Sequence, residues 1–177
     1  MRIIAGRYKG LNFNAPKGAR THPMSDKARG GLFNALGDIE GLEVLDCFSG
    51  SGALAIEAIS RGARSAVAID ADSRAVKIIK DTLTQLKLTK EIKVSQAYVK
   101  SWLSTNKDKT FDLILVDPPY DDLNFTTIKR LPLHLKESGV LVLSWPGSHD
   151  PLKLSGLQIV KNKHYGDAQL VFYRKIS

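Results

Sequence analysis

A carboxylate, two prolines and a phenol stand in a row at Asp117, Pro118, Pro119 and Tyr120. Residues of these types can hold and orient an amine. The prolines stiffen the segment and remove N–H donors, which leaves backbone carbonyls facing a cleft. The Asp117 carboxylate and the Pro118 carbonyl can then accept the two hydrogen bonds of an exocyclic amine, keep it out of conjugation and aim its lone pair. Tyr120 offers a flat face for a base, a contact worth about 1–3 kcal/mol. An amine held in this way can attack a methyl sulfonium in line, with orientation supplying most of the catalysis. Asp117 can take the proton afterwards, and the step needs neither a metal nor a strong base. The simpler alternative is a proline-rich turn with a surface tyrosine. The apolar run over 111–116 that precedes the four residues reads as a central strand and argues for the site.

A second group lies upstream. Asp46, Phe48, Gly50, Ser51 and Gly52 end one apolar segment and open the next. Gly50 and Gly52 let a ligand approach the backbone closely. The third glycine of a dinucleotide fingerprint is missing, since Ala55 stands three residues after Gly52, and there is no P-loop lysine. A neutral or cationic nucleoside therefore fits better than a pyrophosphate. Asp46 can favour a positive ligand, and Phe48 reads as core beneath it. Asp70 stands 20 residues past Gly50, where a carboxylate can accept both hydroxyls of a ribose. The competing role for Asp70 is a helix cap, for which Asp72 is also placed. Cys47 reads as a small buried residue rather than a nucleophile.

These groups need strands that end at a common edge, and the pattern supplies them. Strands are expected over 43–48, 65–69, 92–95, 111–116 and 139–144, with helices over 51–61, 72–86, 97–103 and 125–135 between them. That alternation predicts an α/β protein with a parallel sheet covered on both faces. The ending differs: 157–164 and 169–174 read as an antiparallel hairpin turning at Tyr165, Gly166 and Asp167. Before residue 41 the pattern is different again. Residues 3–4 and 11–13 could pair as short strands, 15–24 reads as loop, and Ser25 reads as the N-cap of a helix over 26–36. Gly30 and Gly31 inside that helix suggest close packing or close approach of a ligand. The expected division is a basic extension over 1–40 and a catalytic domain over 41–177.

The 177 residues carry a net charge of +8. Most of it is local: Arg2, Arg7, Lys9, Lys17, Arg20, Lys27 and Arg29 face only Asp26 within residues 1–29. A basic end of this kind suits a polyanion through counterion release, or simply a solvated surface. Apolar residues at 43% and charged residues at 25% are ordinary for a globular chain and exclude collagen-like, disordered and disulfide-scaffold classes. No apolar run is long enough to span a bilayer. One cysteine and an opening without the apolar core of a signal peptide point to a cytoplasmic address. The four histidines lack metal-ligand spacing, so no metal is expected.

Taken together, Asp46 to Gly52, Asp70 and Asp117 to Tyr120 resemble a class I S-adenosylmethionine-dependent methyltransferase acting on exocyclic nitrogen. More narrowly, the chain resembles the bacterial 16S ribosomal RNA guanine-N2 methyltransferases of the RsmD type. Arg2 to Gly6, Leu32 to Asn34, Ile39 to Gly41, Ser51 to Leu54 with Glu57 and Ala58, Arg61 to Ala63, and Tyr165 to Asp167 carry that likeness. The resemblance implies a Rossmann-like, seven-stranded sheet of order 3-2-1-4-5-7-6 with strand 7 antiparallel. It implies transfer to N2 of one guanine in the small ribosomal subunit or a late assembly intermediate, by a monomer. The basic residues Arg2, Arg7, Lys9, Arg20, His22, Lys27 and Arg29 would hold RNA phosphates. The cofactor would lie against Asp46, Phe48, Gly50, Ser51, Gly52, Asp70, Gln96 and Ala97. Gln96 stands where the family usually has an acidic residue near the adenine, and its amide oxygen can still accept from the adenine amine. His22 and Gly30 are further departures, and Trp145 reads either as core or as pocket lining. Two other readings remain open: a DNA adenine or cytosine amino-methyltransferase, for which the chain lacks room for a recognition domain, and a non-catalytic RNA-binding assembly factor on the same fold.

Overall fold

A computed structural model describes residues 1–14, 24–121 and 123–176. Arg20, His22 and nearly all of the loop expected over 15–24 lie outside the described residues. Seven strands form one sheet: β1 (Glu43–Cys47), β2 (Ser65–Asp70), β3 (Ile92–Gln96), β4 (Phe111–Val116), β5 (Leu135–Pro146), β6 (Leu157–Tyr165) and β7 (Ala168–Lys175). Their order is β3-β2-β1-β4-β5-β7-β6, and β7 runs antiparallel to both of its neighbours. This is the class I methyltransferase arrangement that the sequence led us to expect.

The chain progresses outward from β1 in both directions, which makes the β1–β4 junction the switch point where open α/β sheets bind ligands. The register aligns the strand ends there, with Cys47 opposite Val116 and Cys47 opposite Ile69. Helices cover both faces: α1 (Asp26–Leu36), α2 (Ala53–Ser60) and α3 (Ser73–Leu86) on one, α4 (Val99–Thr105) and α5 (Phe125–Ile128) on the other. Alternate strand residues serve the two layers. Val44, Leu113 and Val142 pack with Ile56, Ile79 and Leu83, whereas Leu45, Ile114 and Leu143 pack with Trp102, Leu103 and Ile128.

Helix boundaries follow local chemistry. Asp72 caps α3 by accepting from the Arg74 amide at 2.8 Å, and Val76, Ile79, Leu83 and Leu86 form its buried stripe. Ser25 caps α1 through the Ala28 amide. The helix expected over 125–135 is a correction. It stops at Ile128, and Leu131–His134 form a 3-10 turn with Pro132 in its first positions. Proline offers no N–H to continue an α-helix and disfavours helical backbone in the residue before it. β5 then starts at Leu135, four residues earlier than expected. The helix expected over 51–61 begins only at Ala53, because Gly50 and Gly52 adopt positive φ.

Residues 1–14 fold back on themselves without regular strands. Their pairing is one bridge between Arg2 and Asn12, with amide bonds from Ile3 to Leu11 and from Phe13 to Met1 at 2.9 Å. Ile3 and Phe13 enter the same core as α2. The Arg7 amide donates to the Ser60 carbonyl at 2.7 Å, so the turn over residues 6–10 sits at the C-terminal end of α2. Gly31 is a packing glycine: a methyl group there would overlap the Tyr165 hydroxyl. Lys161 donates to the Ala35 carbonyl. Together these two contacts run α1 antiparallel to β6. The N-terminus of α1 therefore points to the edge where β1, β4 and β6 all end.

Candidate active site

β1 delivers Asp46 to the interior just before the chain turns. Asp46 is completely buried. One oxygen accepts from the Ala55 amide at 3.1 Å, inside the first turn of α2, and the other has no partner among the described residues. Burial pushes its pKa up to about 8, and the nearby Asp117 and Asp70 charges push the same way. Phe48 then takes positive φ, Ser49 continues the sheet by donating to the Ile69 carbonyl at 2.9 Å, and Gly52 donates to the Ser49 carbonyl at 2.7 Å. The result is a tight loop on which Gly50 has open space beside its Cα. Ser51 is buried, and Phe48 packs half-buried on the core below.

Asp70 ties this loop to the next strand. Its carboxylate accepts from the Gly50 amide at 2.7 Å and from the Asp72 amide at 2.8 Å. The cap of α3 is Asp72, so the competing role for Asp70 as that cap is taken. Gln96, exposed at the end of β3, lies opposite Asp70 in the register, and the Ala97 amide donates to the Asp70 carbonyl at 2.9 Å. Asp46, Phe48, Gly50, Ser51, Gly52, Asp70, Gln96 and Ala97 thus share one edge. Tyr98, 75% exposed, stands on the same rim and was not singled out in the sequence, where it falls inside the short helix expected over 97–103.

β4 brings Asp117 to that edge beside Asp46. Burial raises the Asp117 carboxyl above the ordinary carboxylate range, and the Ser144 hydroxyl draws it partly back. Pro118 is buried and Pro119 half-buried. Tyr120 is 40% exposed, and its hydroxyl pairs with the Ser144 hydroxyl at 2.7 Å. Ser144 is the one polar side chain in the apolar run of β5 from Val140 to Trp145. Trp145 is core: it is buried, donates to the Asp150 carbonyl and meets Phe125 edge-on. Three carboxylates at one edge, Asp46 fully buried with a bare oxygen and Asp70 and Asp117 half-buried, suit a cation. A sulfonium or ammonium group meets that requirement, and an anion does not.

Comparison with known proteins bears on this arrangement. The family described as "Conserved hypothetical protein 95" matches residues 1–174. A Bacillus subtilis protein named "Putative rRNA methyltransferase YlbH" is 32% identical over 99% of both chains. The chain belongs to the RsmD family. Ribosomal RNA small subunit methyltransferase D of Escherichia coli K12 is 35% identical over 68% of this chain, an alignment that spans 60% of that protein. A solved Escherichia coli structure, "Putative methyltransferase yhhF", superposes with a TM-score of 0.89 at 28% identity, covering 99% of this chain and 97% of that one.

Within this RsmD-family fold the basic N-terminal residues separate. Arg2 is exposed and paired with Asp26 at 3.0 Å, and Lys27 is exposed at the start of α1, on the site's edge. Arg7 and Lys9 are exposed at the opposite end of α2, about 12 Å away along eight residues of helix. Arg29 corrects the expectation that it holds phosphate. Its side chain is fully buried and donates to the Arg2 carbonyl and the Asp26 carboxylate, both at 2.8 Å. α1 turns this position inward, so the charge is spent inside the fold.

Proposed function

We propose that the protein transfers a methyl group from S-adenosylmethionine to the exocyclic N2 of a guanine in 16S ribosomal RNA, within the small subunit or a late assembly intermediate. The observation that carries this reading is the meeting of Asp117 to Tyr120 with the half-partnered Asp46 at the switch point. Family membership narrows the substrate to ribosomal RNA.

S-adenosylmethionine, when bound, supplies an electrophilic methyl on a positively charged sulfur. Asp46 favours that charge, Asp70 and Gln96 offer acceptors to the ribose and the adenine, and the backbone of Gly50 to Gly52 admits a close approach. Phe48, Ser51 and Ala97 line the same edge. The guanine enters by leaving its stack, which costs less from a loop than from a duplex. Tyr120 stacks on it, and the Asp117 carboxylate and the Pro118 carbonyl accept from its amine. The nitrogen lone pair forms the new bond to the methyl carbon while the carbon–sulfur electrons leave with sulfur. Asp117 receives the amine proton. Arg2 and Lys27, on the site's edge, would hold phosphates close to the target, Arg7 and Lys9 at the far end of α2 would reach phosphates farther along the RNA, and a monomer suffices for every contact named.

The test is incubation with methyl-labelled S-adenosylmethionine and, in parallel, unmodified small subunits, naked 16S RNA or duplex DNA, followed by nucleoside mass spectrometry. N2-methylguanosine from the subunit is the expected product. Label in DNA alone, or on another atom, overturns the reading. Asp117→Ala is expected to lose transfer by at least a hundredfold and keep cofactor affinity, since positioning rather than binding is removed.

A further inference from the structure

Ser144 is the unexpected polar group of the site. It lies one residue past Leu143, and Leu143 pairs with Val116, so Ser144 sits beside Asp117 in the parallel register of β4 and β5. Leu141, Val142, Leu143 and Trp145 around it are all buried and apolar. Ser144 itself is only 4% exposed. A buried hydroxyl surrounded by such neighbours is costly unless it is hydrogen-bonded. Its hydrogen-bond partner is the Tyr120 hydroxyl, at 2.7 Å, and the Asp117 carboxylate is its neighbour across the β4–β5 register, where the serine hydroxyl lowers the Asp117 pKa.

The two hydroxyls have one proton each, and an ionised carboxylate can only accept. With Asp117 ionised beside it, Ser144 is set to turn its proton to the carboxylate and to accept the proton of Tyr120. The chain runs in one direction, from the tyrosine O–H to the serine oxygen and from the serine O–H to the carboxylate. Resting on the methyl-transfer reading above, we infer that Ser144 is a positioning residue: its hydroxyl holds the Tyr120 ring and the Asp117 carboxylate at a fixed spacing, so that base stacking and amine orientation are set together. Without it Tyr120 has no hydrogen-bonding anchor at its buried end, and Asp117 loses a donor that favours its ionised, amine-accepting form. Among the described residues, Asp46 from β1 is the neighbouring carboxylate that feels the Asp117 charge, and Tyr120 is the titratable neighbour within its own loop.

The experiment compares wild type, Ser144→Ala and Ser144→Thr in two readouts. In single-turnover methylation of small subunits across pH, Ser144→Ala is expected to lower the rate about tenfold, the usual consequence of removing one hydrogen bond to a charged group. The acid limb of its pH profile moves upward by about one pH unit. Ser144→Thr keeps the hydroxyl and restores both. The second readout is carbon-13 NMR titration of the Asp117 carboxyl, assigned with Asp117→Asn, on protein without RNA. The Asp117 titration is expected to move to higher pH in Ser144→Ala and return in Ser144→Thr. An Asp117 titration that does not move, or a threonine variant as impaired as the alanine one, overturns the inference. Absence of methyl transfer by wild type would instead overturn the proposed function, and the NMR titration would still decide the role of Ser144.

Discussion

Asp46 on β1 and Glu57 on α2 are both buried, yet only one of them has every oxygen occupied. Glu57 accepts from the Ile4 amide at 2.8 Å, the Ala5 amide at 3.1 Å and the Arg61 guanidinium at 2.7 Å, and it faces Arg29 at 3.9 Å. It fastens the N-terminal segment to the domain. Asp46 has one backbone donor and one bare oxygen. Burial is equal in the two cases, so burial alone does not mark a functional group. The missing partner does, because an unpaired buried carboxylate is tolerated only where something else supplies the charge.

Removing Glu57 should give the largest effect. Glu57→Ala strips two amides of their acceptor and leaves Arg29 and Arg61 without their shared carboxylate. Losing one side of a buried ion pair costs about 3–5 kcal/mol. Urea unfolding should register that loss. A variant as stable as wild type would mean that Asp26 alone satisfies Arg29.

Asp46 should respond in the opposite way. Asp46→Asn keeps an acceptor for Ala55 and removes a charge the fold does not need, so stability at pH 8 should hold or rise. Affinity for S-adenosylmethionine should fall about tenfold or more, as expected when a buried charge loses its partner. Calorimetry reads both. The pH dependence follows from the same group. Its folded pKa of about 8 exceeds the ordinary 3.8, so between those values the folded protein holds a proton that the unfolded chain has released. The contribution of Asp46 to stability therefore falls as pH rises through that window. A cationic ligand prefers the ionised form, so affinity should climb from pH 6 towards pH 8 and level off above it. Asp46→Asn should abolish the climb. A wild-type affinity that is flat from pH 6 to 9 would remove Asp46 from the cofactor site.

The contrast also explains what could be read from the chain. Asp117 to Tyr120, Asp46 and the Gly50 to Gly52 loop were legible because each follows an apolar strand, and strand ends in a parallel sheet must share an edge. The sheet order came with the family likeness; the alternating pattern implied only a parallel sheet. Arg29 was misread for a physical reason. In a basic stretch a charge looks like surface, and nothing local reveals that α1 turns Arg29 inward, where the Arg2 carbonyl and Asp26 pair it and Glu57, 28 residues later, faces it at 3.9 Å. The role of Ser144 was not legible. Its role depends on a partner 24 residues away across two strands. The shortened α5 could have been anticipated, since Pro132 stood inside the expected helix.

The smallest effect tests the outer part of the same contrast, where charges face water. Arg29 is consumed by the fold, whereas Lys27, two residues earlier on α1, is exposed on the edge that carries the site. If Lys27 meets a phosphate, it releases about one counterion when RNA binds. Lys27→Ala should then reduce the slope of log affinity against log salt by roughly 0.7–0.9 and weaken subunit binding only a few-fold at moderate salt. Cofactor affinity should not change, because Lys27 touches none of the groups around Asp46. A filter-binding salt series on wild type and Lys27→Ala measures the slope directly. An unchanged slope would assign Lys27 to the solvated surface and leave phosphate contact, among the described residues, to Arg2, which is exposed near the N-terminus of α1.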